Sequence, residues 1–340
     1  MKAVTPEIDF FPTASLENLH LRARLLKAVR RFFDERGYLE VETPLISADA
    51  TIDPNLSPFI TRWIPAGASP DKGMEMYLQT SPEFAMKRLL AALHVPGGQA
   101  DATAIYQITH AFRNGEFGRL HNPEFTLVEW YRTGDTCHEQ MDEVQELVCT
   151  VGEESDQWEM ADDKPFLRTS YREAFERYAD FDPLSTETSK LPEIALSRGL
   201  TPPPGLAPGD RDGWLNFFLV ELVESNLGRD CPQFLYDYPA SQAALARIRP
   251  DDPLVAERFE LYFHGVEICN GYHEETDPEE LRRRIRAHGM EQHLTSRLLD
   301  AMEAGLPPCS GVALGFDRLV MLAAGALSLA EVMPFPFDRA

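Results

Sequence analysis

The chain has 340 residues, 44% of them hydrophobic, and 55 acidic against 32 basic residues give a formal net charge of −23. This length suits one large domain or two smaller ones, and the hydrophobic content excludes an intrinsically disordered chain. The negative charge argues against a nucleic-acid partner, because a phosphate backbone is repelled unless basic residues cluster. The arginine-rich stretches 22–31 and 282–286 are typical of solvated faces of amphipathic helices.

The cysteines and the N-terminal segment favour a cytoplasmic protein. The five cysteines are scattered, without CxxC or metal-ligand spacing, which is typical of reduced thiols. The N-terminal MKAVTPEIDFFP lacks the apolar run of a signal peptide, and no stretch of about 18 apolar residues predicts a membrane span. We therefore predict a cytoplasmic protein without a membrane partner.

The first part of the chain predicts two helices and a short strand. Leucines and phenylalanines recur at helical spacing over 15–36, and Gly37 supplies a stop. A short strand at 38–41 follows. Ser81-Pro82-Glu83 has the form of a helix start, with a Ser cap, Pro at the first position and an acid in the first turn. That helix continues to about residue 93, and the Gly-rich stretch 95–103 is typical of an exposed loop.

Strands linked by hairpins, together with helices, make up the rest of the predicted fold. Strands are predicted at 105–112, 125–131, 233–237, 254–263, 266–270 and 310–315, and helices at 137–152, 170–178, 188–198, 211–226 and from 317. A polar linker is expected at 153–165, and two short helices before residue 310. This pattern indicates an α+β fold with an antiparallel sheet flanked by helices.

A polar turn between the strands 105–112 and 125–131 points to a ligand site. Side chains alternate faces along a strand, so Phe125, Glu129 and Tyr131 share one face. A carboxylate and a phenol beside a phenyl ring indicate a pocket floor. Taken alone, the segment fits a solvent-facing edge equally well.

The stretch ERFELYFHGVEICNGYHEE predicts a hairpin with two carboxylates on one face. His264-Gly265 fits a two-residue turn, because Gly tolerates positive φ. That turn places Glu267 opposite Tyr262, with Glu260 as its diagonal neighbour. Two close carboxylates repel unless a cation lies between them, and Mg²⁺ binds a few carboxylates together with substrate phosphates. Two exposed acids on an outer face are the alternative.

The same stretch contains a second alternating set of polar residues: Asn270, Tyr272 and Glu274. In a regular strand, these three side chains would point to the face opposite to that of Glu267. Both sets face one site only if the strand contains a bulge, and Gly271 is the predicted position.

The stretch SGVALGFDRLVML predicts a phosphate contact. A strand of small residues ends at Gly315, where a ligand can approach the backbone. Arg318 then lies in the first turn of a helix, where the macrodipole disfavours a cation. A bound phosphate would remove this conflict; an ion pair with Asp317 or another acid is the alternative. With Arg113 as a second anion clamp and no GxxxxGK[ST], the sequence predicts a nucleotide site without a Walker loop.

These stretches resemble the three motifs of the class II aminoacyl-tRNA synthetases, most closely the lysyl enzymes. RRFFDERGYLEVETP resembles motif 1 (about 29–44), FRNGEFGRLHNPEFTLVEWY motif 2 (about 105–132) and GVALGFDRLVML motif 3 (about 310–323). The resemblance covers roughly residues 15–338. It implies one class II catalytic domain over 1–340 and a homodimer built on motif 1.

Within that class, the sequence resembles the truncated paralogues of lysyl-tRNA synthetase, with YPASQ at 238–242 and SGVALG at 310–315 as further similarities. Motif 1 begins almost at the first residue, so we expect no anticodon-reading OB-fold domain and no tRNA partner. The resemblance implies that ATP, with Mg²⁺, converts (R)-β-lysine to an aminoacyl-adenylate. The β-lysyl group is then transferred to a lysine side chain of elongation factor P.

The resemblance also implies roles for individual residues. Arg113, holding the α-phosphate, and Arg318, clamping the far end of the triphosphate, are the catalytic residues. ATP is expected to contact Arg113, Asn114, Gly115, His121, Asn122, Phe125, Glu267, Ile268, Gly315 and Arg318, with Phe125 stacked on adenine. The amino acid is expected at Ser81, Pro82, Glu83, Glu129, Tyr131, Asn270, Tyr272, Glu274 and Ala313, and Mg²⁺ at Glu260 and Glu267. Acids for the ammonium groups and an arginine for the reacting carboxylate match such a substrate.

Two positions depart from the lysyl pattern. Ala313 stands where the lysyl enzymes typically have Gly, and this methyl group predicts selectivity for β-lysine of about 1–3 kcal/mol. Gly115 replaces the acid of the motif 2 pattern Arg-x-Glu, and Glu116 is the candidate substitute. Two alternative functions are a free amino-acid ligase or tRNA-charging remnant, and a non-catalytic paralogue that binds an adenylate and regulates a partner.

Overall fold

An eight-stranded sheet is the centre of the fold. The computed structural model describes residues 10–49, 52, 56–94, 103–158 and 165–340, so most of the predicted loop 95–103 and part of the predicted linker 153–165 lie outside the described residues. The strands of the sheet are β1 (Leu39–Glu40), β5 (Ala104–Phe112), β6 (Glu124–Thr133), β7 (Leu167–Ser170), β8 (Gln233–Pro239), β9 (Val255–Phe263), β10 (Val266–His273) and β11 (Cys309–Gly315). Their order is β1-β5-β6-β11-β10-β9-β8-β7.

The α+β class is confirmed, and the antiparallel prediction is correct for the six central strands. It is wrong at both edges, where β1 pairs parallel with β5 and β7 pairs parallel with β8. A second sheet of β2 (Ile46–Ser47), β4 (Met74–Leu78) and β3 (Ile60–Trp63) was not predicted. The side chains of β3 are exposed along its whole length, so this strand lacks the alternation that marks a half-buried strand.

The helices are α1 (Leu16–Glu35), α2 (Glu83–His94), α3 (Cys137–Gly152), α4 (Tyr171–Ala179), α5 (Leu191–Ser197), α6 (Arg211–Phe218), α7 (Pro278–Ala287), α8 (Arg297–Gly305) and α9 (Phe316–Ala323). The Ser15 hydroxyl caps α1 by accepting from the backbone N–H of Asn18 at 3.1 Å. The predicted helix 211–226 ends as an α-helix at Phe218 and continues as a π-helical and then a 3₁₀ turn. Among the described residues, no helix is long and apolar enough to cross a membrane.

The two faces of the sheet are covered differently. One face packs continuously against α1, α3 and α9 through a core that includes Phe33 and Trp130. On the other face, one cluster around Trp214 and a second around Met86 and Leu281 cover the flanks. The polar residues of the central strands lie between these two clusters.

The β9–β10 hairpin has the predicted turn but not the predicted bulge. His264 and Gly265 have φ values of 51° and 71°, and Glu267 lies opposite Tyr262. The register shifts between Glu267 and Cys269, so the extra residue is Ile268 rather than Gly271. Gly271 pairs regularly with Phe259, whose ring would lie 2.3 Å from a Cβ at that position. Gly271 is therefore needed for core packing and not for the bulge.

We expect Gly271→Ala to destabilise the fold by about 1–3 kcal/mol, because the new methyl group overlaps the buried Phe259 ring. Denaturant unfolding measures the change. Gly209→Ala is the matched control, since no atom lies within 4 Å of a Cβ there. Equal stabilities of the two variants would contradict this packing role.

Candidate active site

Two rows of side chains run across the central strands on the partly covered face of the sheet. Cross-strand pairing aligns Glu129, Ala313, Asn270 and Glu260 in the first row and Tyr131, Gly311, Tyr272 and Arg258 in the second. Five of the residues predicted to bind the amino acid are therefore neighbours. The extra residue at Ile268 places Glu267 on this same face. Glu267 and the alternating set of Asn270, Tyr272 and Glu274 therefore share one face, as the predicted bulge was meant to explain.

Glu129 is a buried carboxylate held by hydroxyl groups. The Ser81 hydroxyl donates to its two oxygens at 3.0 and 2.9 Å, and the Tyr131 hydroxyl donates to Oε1 at 2.7 Å. Glu129 is 1% exposed. Burial, and then the nearby charge of Glu83, raise the pKa of Glu129 to about 8.

The other two predicted pocket acids share a buried lysine. Lys87 Nζ lies 2.7 Å from Glu83 Oε1 and forms a second ion pair with Glu274. Burial raises the pKa of Glu274 to about 8, although the Lys87 ammonium acts in the opposite direction. Lys87 was not predicted as a site residue. The signal was present, because Glu83 and Lys87 have the i,i+4 spacing of a helical ion pair.

The helix start and Gly311 fix the shape of this pocket. The Pro82 carbonyl accepts from the backbone N–H groups of Ala85 and Met86, which positions the first turn of α2. A Cβ at Gly311 would lie 2.2 Å from the Tyr131 ring and 3.0 Å from Glu274 Oε1. Gly311 thus leaves room for two of the predicted pocket residues, a role that the sequence reasoning missed.

Arg318 joins motif 3 to the motif 2 turn and to β10. Its guanidinium donates to the Glu267 carbonyl at 2.9 Å and to the Glu267 carboxylate at 3.1 Å. It also donates to the Leu120 carbonyl and lies 2.9 Å from His121 Nε2. Burial and the Arg318 charge lower the pKa of His121. The partner acid of Arg318 is therefore Glu267 and not Asp317.

Asp317 connects three elements. Its carboxylate pairs with Arg22 of α1 at 2.6 Å and accepts from the backbone N–H of Thr126 in β6 at 2.7 Å. The Arg22 guanidinium also donates to the Thr126 hydroxyl at 2.8 Å. The start of α9, which carries Arg318, is thereby fixed to α1 and β6.

Arg113 lies beside Phe125 and Glu116. Its guanidinium carbon is 5.0 Å from the centre of the Phe125 ring, and its nearest nitrogen is 3.9 Å from the Glu116 carboxylate. Its Nε is buried and has no hydrogen-bond partner among the described residues. Gly115 has a φ of +88°, a conformation that side chains rarely adopt. Glu116, one position later, is the acid that lies next to Arg113.

The remaining predicted nucleotide residues have different surroundings. A Cβ at Gly315 would lie 3.5 Å from the Ile268 carbonyl oxygen, so these two residues meet at the end of β11. The backbone N–H of Asn114 donates to Ser57. The side chain of Asn122 donates to the Glu124 carbonyl and accepts from the backbone N–H of Phe337. Its contact with the nucleotide stays a prediction.

The predicted magnesium residues are bonded to other side chains. Glu260 accepts from the hydroxyls of Tyr238 and Tyr262 at 2.5 and 2.6 Å, from Arg258 at 2.6 Å and from Asn270 at 3.2 Å. Within the described part of the chain, no group of three or more His, Cys, Asp or Glu residues is arranged to hold a metal. A magnesium site here therefore depends on Glu260 and Glu267 together with oxygens of the substrate.

Comparison with known proteins assigns the class. A family model described as tRNA synthetases class II (D, K and N) matches residues 6–339, and the chain belongs to this family. It is 45% identical over 339 residues to a protein of Salmonella paratyphi B named elongation factor P–(R)-β-lysine ligase, covering 97% of this chain and 98% of that protein. A protein of Proteus mirabilis with the same name is 45% identical over 342 residues, covering 98% of each chain.

The raised pKa of Glu129 predicts a pH-dependent stability. The folded state holds the proton up to about pH 8, whereas an unfolded Glu releases it near 4.3. Between these values, ionisation of Glu129 favours the unfolded state, so the stability of the fold decreases as the pH rises. We expect the Tm of Glu129→Gln, relative to wild type, to increase from pH 5 to pH 8. Glu17→Gln on the surface of α1 is the control. A constant Tm difference would contradict the assigned environment of Glu129.

Proposed function

We propose that this chain is an ATP-dependent, AMP-forming ligase. It activates (R)-β-lysine as an aminoacyl-adenylate and transfers it to a lysine side chain of elongation factor P. The near full-length similarity to ligases of that name supports this proposal. The structural observation that carries it is one sheet face with the buried acids Glu129 and Glu274 and the half-buried Glu83 at one end, and Arg113 and Arg318 at the other.

The pocket suits a substrate with two ammonium groups and one carboxylate. Glu83, Glu129 and Glu274 would supply negative charge, because bound ammonium groups favour the ionised form of the two buried acids. The Asn270 Oδ1 is a buried acceptor without a hydrogen-bond partner among the described residues. A buried acceptor without a partner is unfavourable, and a substrate ammonium would satisfy it. Ala313 lies directly between Glu129 and Asn270, where its methyl group limits the depth of the pocket.

ATP would lie on the opposite part of the face. Phe125 offers an aromatic surface for adenine, Ile268 and Gly315 meet at the end of β11, and His121 lies beside Arg318. Arg113 and Arg318 would hold the phosphates. The buried, unpartnered Nε of Arg113 is a donor available to a phosphate oxygen.

Glu260 and Glu267 would hold the magnesium ion, together with phosphate oxygens of ATP. They are two carboxylates on one face, and the 3.2 Å bond from Asn270 is the longest of those to Glu260, so it is the bond that a metal would replace. Bound Mg²⁺ would neutralise phosphate charge. Replacing that bond would also free the Asn270 amide for the amino acid.

In the first step, the β-lysine carboxylate attacks the α-phosphorus of ATP in line and pyrophosphate leaves. The protein contributes positioning and charge stabilisation, with Arg113 at the α-phosphate. In the second step, the acceptor amine attacks the adenylate carbonyl and AMP leaves. That amine has an ordinary pKa of about 10.4, so it must first lose a proton. The adenylate phosphate and Glu116 are the two candidate bases.

The acting form is proposed to be a cytoplasmic homodimer formed through motif 1. Leu39 and Ile46, which follow α1, are 48% and 47% exposed and would be covered there. The link from Arg22 of α1 to Asp317 would connect that interface to the residue preceding Arg318.

Arg113→Ala should abolish adenylate formation while the protein stays folded, because it removes the α-phosphate clamp. Pyrophosphate exchange with (R)-β-lysine measures activation, and circular dichroism monitors folding. Arg62→Ala, an exposed arginine of β3, is the control. Near-normal exchange in Arg113→Ala would show that the assignment is wrong.

The acceptor is tested by the mass of elongation factor P after incubation with the enzyme, ATP and either (R)-β-lysine or α-lysine. We expect the mass of one lysyl residue to be added, and faster with (R)-β-lysine. Charging of tRNA instead would favour the tRNA-charging alternative. Failure of exchange with every lysine isomer would favour the regulatory one.

A further inference from the structure

We infer that Lys87 is a positioning and specificity-determining residue. It fixes the charge of the amino-acid pocket at the value that two substrate ammonium groups neutralise. This inference rests on the proposed function, because it concerns the same pocket. The residue acts through Glu83 and Glu274 and does not have to touch the substrate.

Lys87 is positioned to act on the pocket alone. It extends from the second turn of α2, is 2% exposed, and lies 2.7 Å from Glu83 while also pairing with Glu274. Its ammonium is 6.0 Å from the centre of the Tyr131 ring. A cation without access to water affects its neighbours strongly, because no solvent screens it.

The net charge of the amino-acid pocket depends on Lys87. With Glu83, Glu129 and Glu274 ionised and Lys87 protonated, the pocket carries −2, whereas without Lys87 it would carry −3. Among the described residues, the other titratable groups that interact with this cluster are Tyr131, Cys309 and Cys137, and burial raises the pKa of each, so they remain neutral. Without substrate, Glu129 and Glu274 hold their protons up to about pH 8. Two bound ammonium groups would favour the ionised carboxylates, and their two positive charges would then cancel the −2.

Lys87 also favours the ionised form of Glu274, which is the form that binds an ammonium group. Glu274 is 2% exposed, and its burial favours the protonated form. Loss of the lysine would leave Glu83 and Glu274 facing each other without a cation, and one of them would take up a proton. A protonated acid binds an ammonium group much more weakly, so substrate affinity would fall at low pH.

The test compares Lys87→Met, which keeps the length and burial of the side chain, with Lys87→Arg, which keeps the charge. Pyrophosphate exchange with (R)-β-lysine is measured from pH 6 to pH 9. We expect Lys87→Met to move the acid limb of kcat/KM upward by about one pH unit or more, through KM rather than kcat. Lys87→Arg should keep the wild-type limb, as should the surface control Lys27→Met.

A second variant removes the danger that a buried unpaired acid prevents folding. Lys87→Met/Glu274→Gln deletes both members of the pair and restores a charge of −2, so its acid limb should return toward that of the wild type. If the limb stays unmoved in Lys87→Met and only kcat falls, or if the double variant does not restore it, Lys87 is merely structural and the inference is overturned.

A measurement without substrate separates this inference from the proposed function. ¹³C NMR of protein labelled at the Glu carboxyl groups follows the buried acids directly. We expect their titration in Lys87→Met to lie at higher pH than in wild type, and an unchanged titration would overturn the inference. Failure of the wild type to activate (R)-β-lysine, with this shift present, would instead overturn the proposed substrate.

Discussion

The extra residue at Ile268 decides which side chains of β10 reach the active-site face. Without it, Asn270, Tyr272 and Glu274 would point to the face where Phe259 and Trp130 form the main core. A carboxylate there would have no cation and would cost several kcal/mol to bury. The bulge thus places Glu267 beside Arg318, and it places Glu274, which directly follows β10, beside Lys87. The arrangement of both proposed substrate regions depends on this single irregularity.

The same face holds charges that the fold alone does not favour. Glu129 and Glu274 are buried deeply enough that the pKa of each rises to about 8, and hydroxyl groups and one lysine offset only part of that cost. A cationic substrate would complete the set, because it supplies the charges that the protein leaves out. Burying these acids destabilises the fold when no substrate is bound, and binding of a cationic substrate would offset that cost. Such a trade-off between stability and function is common in proteins.

Local sequence patterns predicted which residues of the candidate site are neighbours, but not all of their contacts. Alternation along β6 placed Glu129 and Tyr131 on one face, and the turn chemistry of His264-Gly265 gave the hairpin. The alternation of side chains along β10 correctly predicted a bulge. Its position was wrongly assigned to Gly271, because a glycine needed for packing and a glycine in a bulge look alike in sequence. Lys87 and the parallel edge strands escaped prediction, since burial and strand neighbours depend on contacts far apart in the chain.

The most direct test is a crystal structure with a non-hydrolysable β-lysyl-adenylate analogue. The account predicts both ammonium groups within about 3.2 Å of carboxylates drawn from Glu83, Glu129 and Glu274, or of the Asn270 oxygen, with the phosphate replacement bound to Arg113. Ammonium groups that point to solvent, or a phosphate replacement remote from Arg113, would contradict the assignment of this face as the active site.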